Sequence, residues 1–233
     1  MKIKNKLSKQ DYFLYDAFCS FMDEKERKSV KKSCQMLDLK PHFFMVGCDE
    51  VVLLEGEDTI VVAVSGSDKD KKEWRGNFDA YRGITDRKKP KNKKGFHYNY
   101  YLQGRHLKRI IKAFLKANPH IKYVILDGHS RGGAIAMDCY MLLAVEDNSV
   151  ELMVTSFDPP RSITRRAWRW FKKNTKQEIR IHRTKSFFSV VGAIPPFFLG
   201  WVHRESTLLK LPNVRGKFNH TAITEGLERK FGK

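Results

Sequence analysis

Residues 125–136 read ILDGHSRGGAIA, and inside them Gly128-His129-Ser130-Arg131-Gly132 fits the pattern G-x-S-x-G. The run YVIL (123–126) leads into the pentad and GAIAMDCYMLLA (133–144) leads out of it. The first has the length of a strand and the second that of a helix. The chain must turn sharply between them, and Gly128, Gly132 and Gly133 remove side chains where strand and helix crowd each other. Ser130 is then held at the carboxyl end of a strand, its hydroxyl exposed. The amino end of the helix points at it and favours negative charge developing there. The amide of Arg131 is placed to donate to an oxyanion. The pentad alone is a weak signal. Its strand–turn–helix setting is what marks Ser130 as a nucleophile rather than a structural serine.

Outward from this corner, residues 11–21 carry Phe13, Tyr15, Phe18 and Phe21 at helical spacing. Apolar runs at 51–54 and 60–64 flank Glu55-Gly56-Glu57-Asp58, which predicts a strand pair joined by a turn. Helical periodicity runs over 98–116 and stops at Asn118-Pro119. Further strands are predicted at 121–126, 152–157 and 178–182, and further helices at 133–145, 161–173 and 221–231. From residue 121 on, strands alternate with helices, the pattern of a mostly parallel sheet covered on both faces. The 233 residues suit one α/β domain, read as a helical segment over about 1–45 and a core over about 46–233.

A serine nucleophile needs a base, and the base needs an acid. On a strand–turn–helix nucleophile the chain order is serine, acid, histidine. Glu146, Asp147 and Glu151 fall around the turn after the helix, and Glu178 begins a strand, all at the wrong end of the sheet. Asp158, in VTSFDPPR, ends the next strand and is fixed by Pro159-Pro160. Loops at strand carboxyl ends build the site in open α/β sheets, so Asp158 is the candidate acid. The competing reading makes it a cap for the helix at 161–173. For the base, His220 in FNHTAI precedes the last helix, and His203 in WVHRES competes with it. His182 alternates within a strand and reads as structural.

The formal net charge is +19, which predicts contact with something anionic. Basic residues cluster at 87–94 and 161–173, but no recognised nucleic-acid motif accompanies them, so nucleic acid ranks behind a phospholipid surface. RRAWRWFKK (165–173) suits a membrane surface, or equally a solvated face whose Trp168 and Trp170 pack on the sheet. Cys19, Cys34, Cys48 and Cys139 form no C-x-x-C and have no histidine at ligand spacing, so buried free thiols are expected, without a metal or other cofactor. The segment MKIKNKLSKQ lacks a following apolar run, and no stretch reaches membrane-spanning length. A cytoplasmic protein, open to peripheral membrane association, is the expectation. The oligomeric state stays open.

Six segments in order resemble the fungal-type (class 3) lipases of the α/β-hydrolase superfamily, over roughly 60–221. VVAVSGSDKDKKEWRGNF resembles that family's oxyanion strand and lid, and KKGFHYNYY its Gly-Phe segment. NPHIKYVILDGHSRGGAIA resembles its nucleophile segment and TSFDPPR stands where the family has Gly-x-Pro-Arg. VVGAIPPFFLGWVH resembles the Pro-Pro segment and FNHTAI the terminal histidine loop. The resemblance implies an α/β-hydrolase fold and a carboxylic ester hydrolase acting on an ester or lipid through an acyl-enzyme. Ser130 would be the nucleophile, His220 the base, Ser67 the side-chain oxyanion donor and Arg131 the backbone donor. The family's catalytic Asp would fall on Ser189. Either the acid has moved to Asp158, as in pancreatic-type lipases, or the chain is a silent module that binds an anionic membrane or partner. Ser65 and Arg131 also replace the usual Arg and Leu. The lid segment DKDKKEW is short and charged, which suits anionic phospholipid or a soluble ester better than an oil surface.

Overall fold

IVVAV (60–64) is apolar at every position, and the strand that it forms with Thr59 is buried along its whole length. That is the signature of a strand covered on both faces. The structure, a computed structural model, describes residues 3–19, 28, 31–32, 34–35, 37–66, 95–146, 149–186, 191–212 and 223–232. Strands β1 (Lys40–Val46), β2 (Asp49–Glu55) and β3 (Thr59–Val64) form an antiparallel meander, with Val51 opposite Val64. From β3 the sheet continues in parallel through β4 (Tyr123–His129), β5 (Glu151–Phe157), β7 (Ile181–Lys185) and β9 (Thr207–Lys210). The order of this seven-stranded sheet is β1-β2-β3-β4-β5-β7-β9. A separate short pair joins β6 (Ile163–Thr164) to β8 (Trp201–Val202).

Side chains alternate across the sheet with the two-residue period of a strand. Ile60, Val62, Val64, Val124, Leu126, Leu152 and Val154 face one layer, with α2 (Tyr98–Ala117), α3 (Arg131–Glu146) and α4 (Arg165–Asn174). Val61, Ala63, Ile125, Met153 and Phe157 face the other, with α1 (Lys9–Cys19) and α5 (Ile223–Phe231). Each fully buried branched or aromatic side chain contributes roughly 1.5–3 kcal/mol. Helix α3 is buried from Arg131 through Ala144, which explains why apart from Arg131 and Asp138 that span carries no charge. The mostly parallel α/β-hydrolase architecture is therefore present.

Several boundaries differ from the sequence reading. The sheet starts at Lys40, inside the stretch assigned to the N-terminal helical segment; KPHFFMV does not alternate, because β1 is an edge strand. Glu178 precedes β7, which begins at Ile181, and α4 begins at Arg165. Cys48 is exposed, whereas Cys19, Cys34 and Cys139 are buried. Trp168 and Trp170 are half-buried against the core, Trp170 edge-on to Phe96 at 5.9 Å, so the packed reading of RRAWRWFKK holds. Among the described residues no helix is long and apolar enough to cross a membrane. The charged lid segment, the basic loop at 86–94 and Ser189 lie outside the described residues.

Candidate active site

Ser130 is the single residue between β4 and α3, and its φ is +53°. A non-glycine residue in this left-handed region is strained by about 1–2 kcal/mol. Two glycines make the corner feasible. A Cβ on Gly132 would fall 2.2 Å from the carbonyl oxygens of Val64 and Ser65. One on Gly128 would fall 2.4 Å from the carbonyl carbon of Gly132. The helix can sit this close to β3 and β4 only because both side chains are missing. The Ser130 amide donates to Phe157 O at 2.8 Å, which ties the corner to the end of β5.

Asp158 is the next residue after Phe157, and it too is left-handed, with φ +45°. It is fully buried. Its amide donates to Thr184 Oγ1 at 3.2 Å, and its Oδ1 accepts from the amide of Ser186 at 3.4 Å. Gly192 comes so near that a Cβ there would lie 3.4 Å from Asp158 Oδ1. Asp158 does not cap α4. That cap is Thr164, whose Oγ1 accepts from Ala167 N at 3.3 Å.

The Arg131 side chain has a role that the sequence reading missed. Its Nε donates to Asp49 Oδ1 at 2.6 Å and its Nη2 to Asp49 Oδ2 at 3.2 Å, in a buried ion pair. The guanidinium also lies 5.7 Å from the centre of the Tyr100 ring. Burial opposes the charge, but Asp49 outweighs it and holds the Arg131 pKa above its ordinary value. The first turn of α3 is thereby fastened to β2. Eighty-two residues separate the partners, and no local pattern links them.

Of the sequence-predicted residues, Ser130, Arg131 and Asp158 come together at the carboxyl ends of β4 and β5. Ser67 and His220 lie outside the described residues. Gly66, one residue before Ser67, runs against the elbow, and a Cβ on it would be 3.5 Å from Ser130 Cβ. His203, the competing base, has its Nε2 2.8 Å from the carbonyl of Gly192, so that nitrogen is the donor. Burial first, then the charge of Arg183, push its pKa down to about 3, which keeps the ring neutral. His182 is buried, with Nε2 3.1 Å from Lys4 O, as a structural histidine would be. Among the described residues no group of three or more His, Cys, Asp or Glu is placed to hold a metal ion.

The family description "Lipase (class 3)" matches residues 61–196. No curated protein sequence matches the chain. Among solved structures, a fungal lipase–inhibitor complex aligns over 85% of this chain and 80% of its own, at 17% identity and a TM-score of 0.64. Lipase II from Rhizopus niveus aligns over 91% and 82%, at 20% identity and a TM-score of 0.63. A triacylglycerol lipase whose catalytic centre is described as a serine protease triad aligns over 88% and 81%, at 17% identity and a TM-score of 0.59.

Proposed function

Because the chain belongs to the class 3 lipase family, a family of carboxylic ester hydrolases, we propose that it cleaves lipid-class esters with a Ser130–Asp158–His220 triad. Ser130 Oγ attacks the ester carbonyl while His220 takes its proton. Asp158 holds the imidazole in the right tautomer and stabilises the imidazolium. The Arg131 amide and the Ser67 hydroxyl stabilise the tetrahedral oxyanion, and α3 adds the favourable end of its dipole. His220 returns the proton to the leaving alcohol, and water then releases the acyl-enzyme.

The observation that carries this reading is the placement of Asp158. Its carboxylate is buried one strand from the nucleophile, on a backbone tied to Ser130 through Phe157. A carboxylate at the end of the strand next to the nucleophile's is placed to orient the histidine of a serine–histidine–acid triad. The serine protease triad of the structurally similar triacylglycerol lipase supports triad chemistry at Ser130 by likeness, while the choice of Asp158 rests on its own placement, since that family's acid would fall on Ser189.

Fluorophosphonate labelling of the purified protein tests it, with Ser130→Ala and Asp158→Asn alongside. The expected result is labelling that disappears in Ser130→Ala and slows strongly in Asp158→Asn. A folded wild type that takes no label would overturn the reading and leave a silent hydrolase-like module.

A further inference from the structure

Five cationic side chains, Arg161, Arg165, Arg183, Lys185 and Arg204, line one open cavity of about 350 Å³. That volume is within the range of roughly 300–1,000 Å³ common for small-ligand sites. The cations come from separate parts of the chain: the loop before α4 and its first residue, β7, and the loop after β8. Arg183 Nη2 meets Glu205 Oε1 at 2.9 Å. Among the described residues Arg165, Lys185 and Arg204 have no acidic partner. Burial first, and then the charge of Arg183, lower the pKa of Arg161, so like charges crowd here. Asp158 stands behind the wall at Gly192. An anion in the cavity would relieve this repulsion.

The rim of the same cavity is apolar. Phe197, Phe198 and Leu199 form a single exposed turn, with 63%, 75% and 50% of their surface open. Hydrogen bonds on both sides of the turn tie it to the cations. Arg161 Nη1 donates to the carbonyls of Ala193 and Pro195, and the Arg165 amide donates to Gly200 O at 3.0 Å. A soluble anion would use the cations but not the apolar tip. A ligand with a negative head and acyl chains uses both, and basic residues beside interfacial aromatics are how proteins hold such surfaces.

We propose that this pocket seats the phosphate of an anionic glycerophospholipid in a bilayer, while Phe197, Phe198 and Leu199 enter its acyl region. The proposal rests on the hydrolase reading only in making that bilayer the source of the ester. The binding itself needs no catalysis.

The test is co-sedimentation of the Ser130→Ala protein with vesicles of phosphatidylcholine, with and without phosphatidylglycerol. Selective binding to the phosphatidylglycerol vesicles is expected. Each basic residue near an anionic surface is worth about fivefold in binding. Arg165→Gln with Arg204→Gln should therefore weaken it about 25-fold, and Phe198→Ser should weaken it too. Arg166→Gln with Arg169→Gln, exposed on α4 but outside the pocket, should change it far less. An equal loss in that control pair would mean diffuse charge attraction and overturn the pocket. Indifference to Phe198→Ser would reassign the pocket to a soluble anion and overturn the bilayer. Fluorophosphonate labelling without vesicle selectivity would remove this proposal and leave the hydrolase reading standing. Selective binding without labelling would do the reverse.

Discussion

Ser130 and Asp158 occupy equivalent places on neighbouring strands. His129 and Phe157 are the last paired residues of β4 and β5, and the next residue on each strand is left-handed, at +53° and +45°. The 2.8 Å bond from the Ser130 amide to Phe157 O joins the two corners. The proposed nucleophile and the proposed acid are thus presented by the same backbone device, repeated one strand apart. Strain held by surrounding structure in this way clusters at functional sites.

The strain at Ser130 has a direct test. Ser130→Ala and Ser130→Gly should both be inactive in ester hydrolysis. Glycine adopts the left-handed region without the Cβ penalty, so Ser130→Gly should unfold about 1 kcal/mol later than Ser130→Ala. Equal urea midpoints would show that the corner is not strained.

Asp158→Asn should keep the fold, because asparagine also tolerates positive φ. It should lower kcat by about 10⁴-fold, the cost of presenting the wrong histidine tautomer. Activity near wild type, with a melting temperature near wild type, would move the acid elsewhere.

Breaking the Arg131–Asp49 pair from one side should be expensive. Asp49→Ala should destabilise the protein by about 3–5 kcal/mol, since it leaves a buried guanidinium without its carboxylate. Arg131→Leu combined with Asp49→Leu should recover most of that loss. Urea titration of wild type, Asp49→Leu, Arg131→Leu and the double variant distinguishes a coupled pair from two independent sites.

Gly132→Ala should prevent folding, or cost more than any surface substitution, because its Cβ would collide with two carbonyl oxygens at 2.2 Å. Gly232→Ala meets no atom within 4 Å and carries only the penalty of a φ of +69°. Soluble yield and thermal midpoint should separate the two.

Burial pushes the Asp138 carboxyl well above its ordinary value of 3.8, against the pull of the Ser162 hydroxyl. The folded protein therefore keeps a proton that the unfolded chain releases. This contribution is complete below pH 3.8 and is lost as pH rises toward the folded value, at up to about 1.4 kcal/mol per unit. Asp138→Asn removes the slope. Its melting temperature relative to wild type should rise as pH is raised, and a constant difference would contradict the assignment.

The elbow was legible in the sequence because its constraint is local: three glycines and a serine between two apolar runs admit few other geometries. The place of Asp158, at the end of the strand next to that of Ser130, was legible because the strand ran straight into FDPP. β1 and β9 were not foreseen. β1 is an edge strand with Pro41 as its second residue, and β9 is four residues long with half-exposed alternation. The Trp168 and Trp170 ambiguity was real, since a basic amphipathic helix has the same period whether its apolar face meets lipid or a sheet. The Arg131–Asp49 pair and the five-cation pocket depend on residues that converge only in three dimensions.

The buried pair also decides how the molecule can be divided. Asp49 lies before residue 61, where the family match begins. Helix α1, earlier still, rests on α5 at the far end of the chain, with Tyr12 stacked on Phe231 at 6.1 Å. A fragment trimmed to 61–196 would keep the serine and lose the anchor beneath it. Excised as a cassette, the nucleophile corner would carry a buried cation with no counter-charge. Grafts and minimal versions of this hydrolase must therefore begin upstream of Asp49.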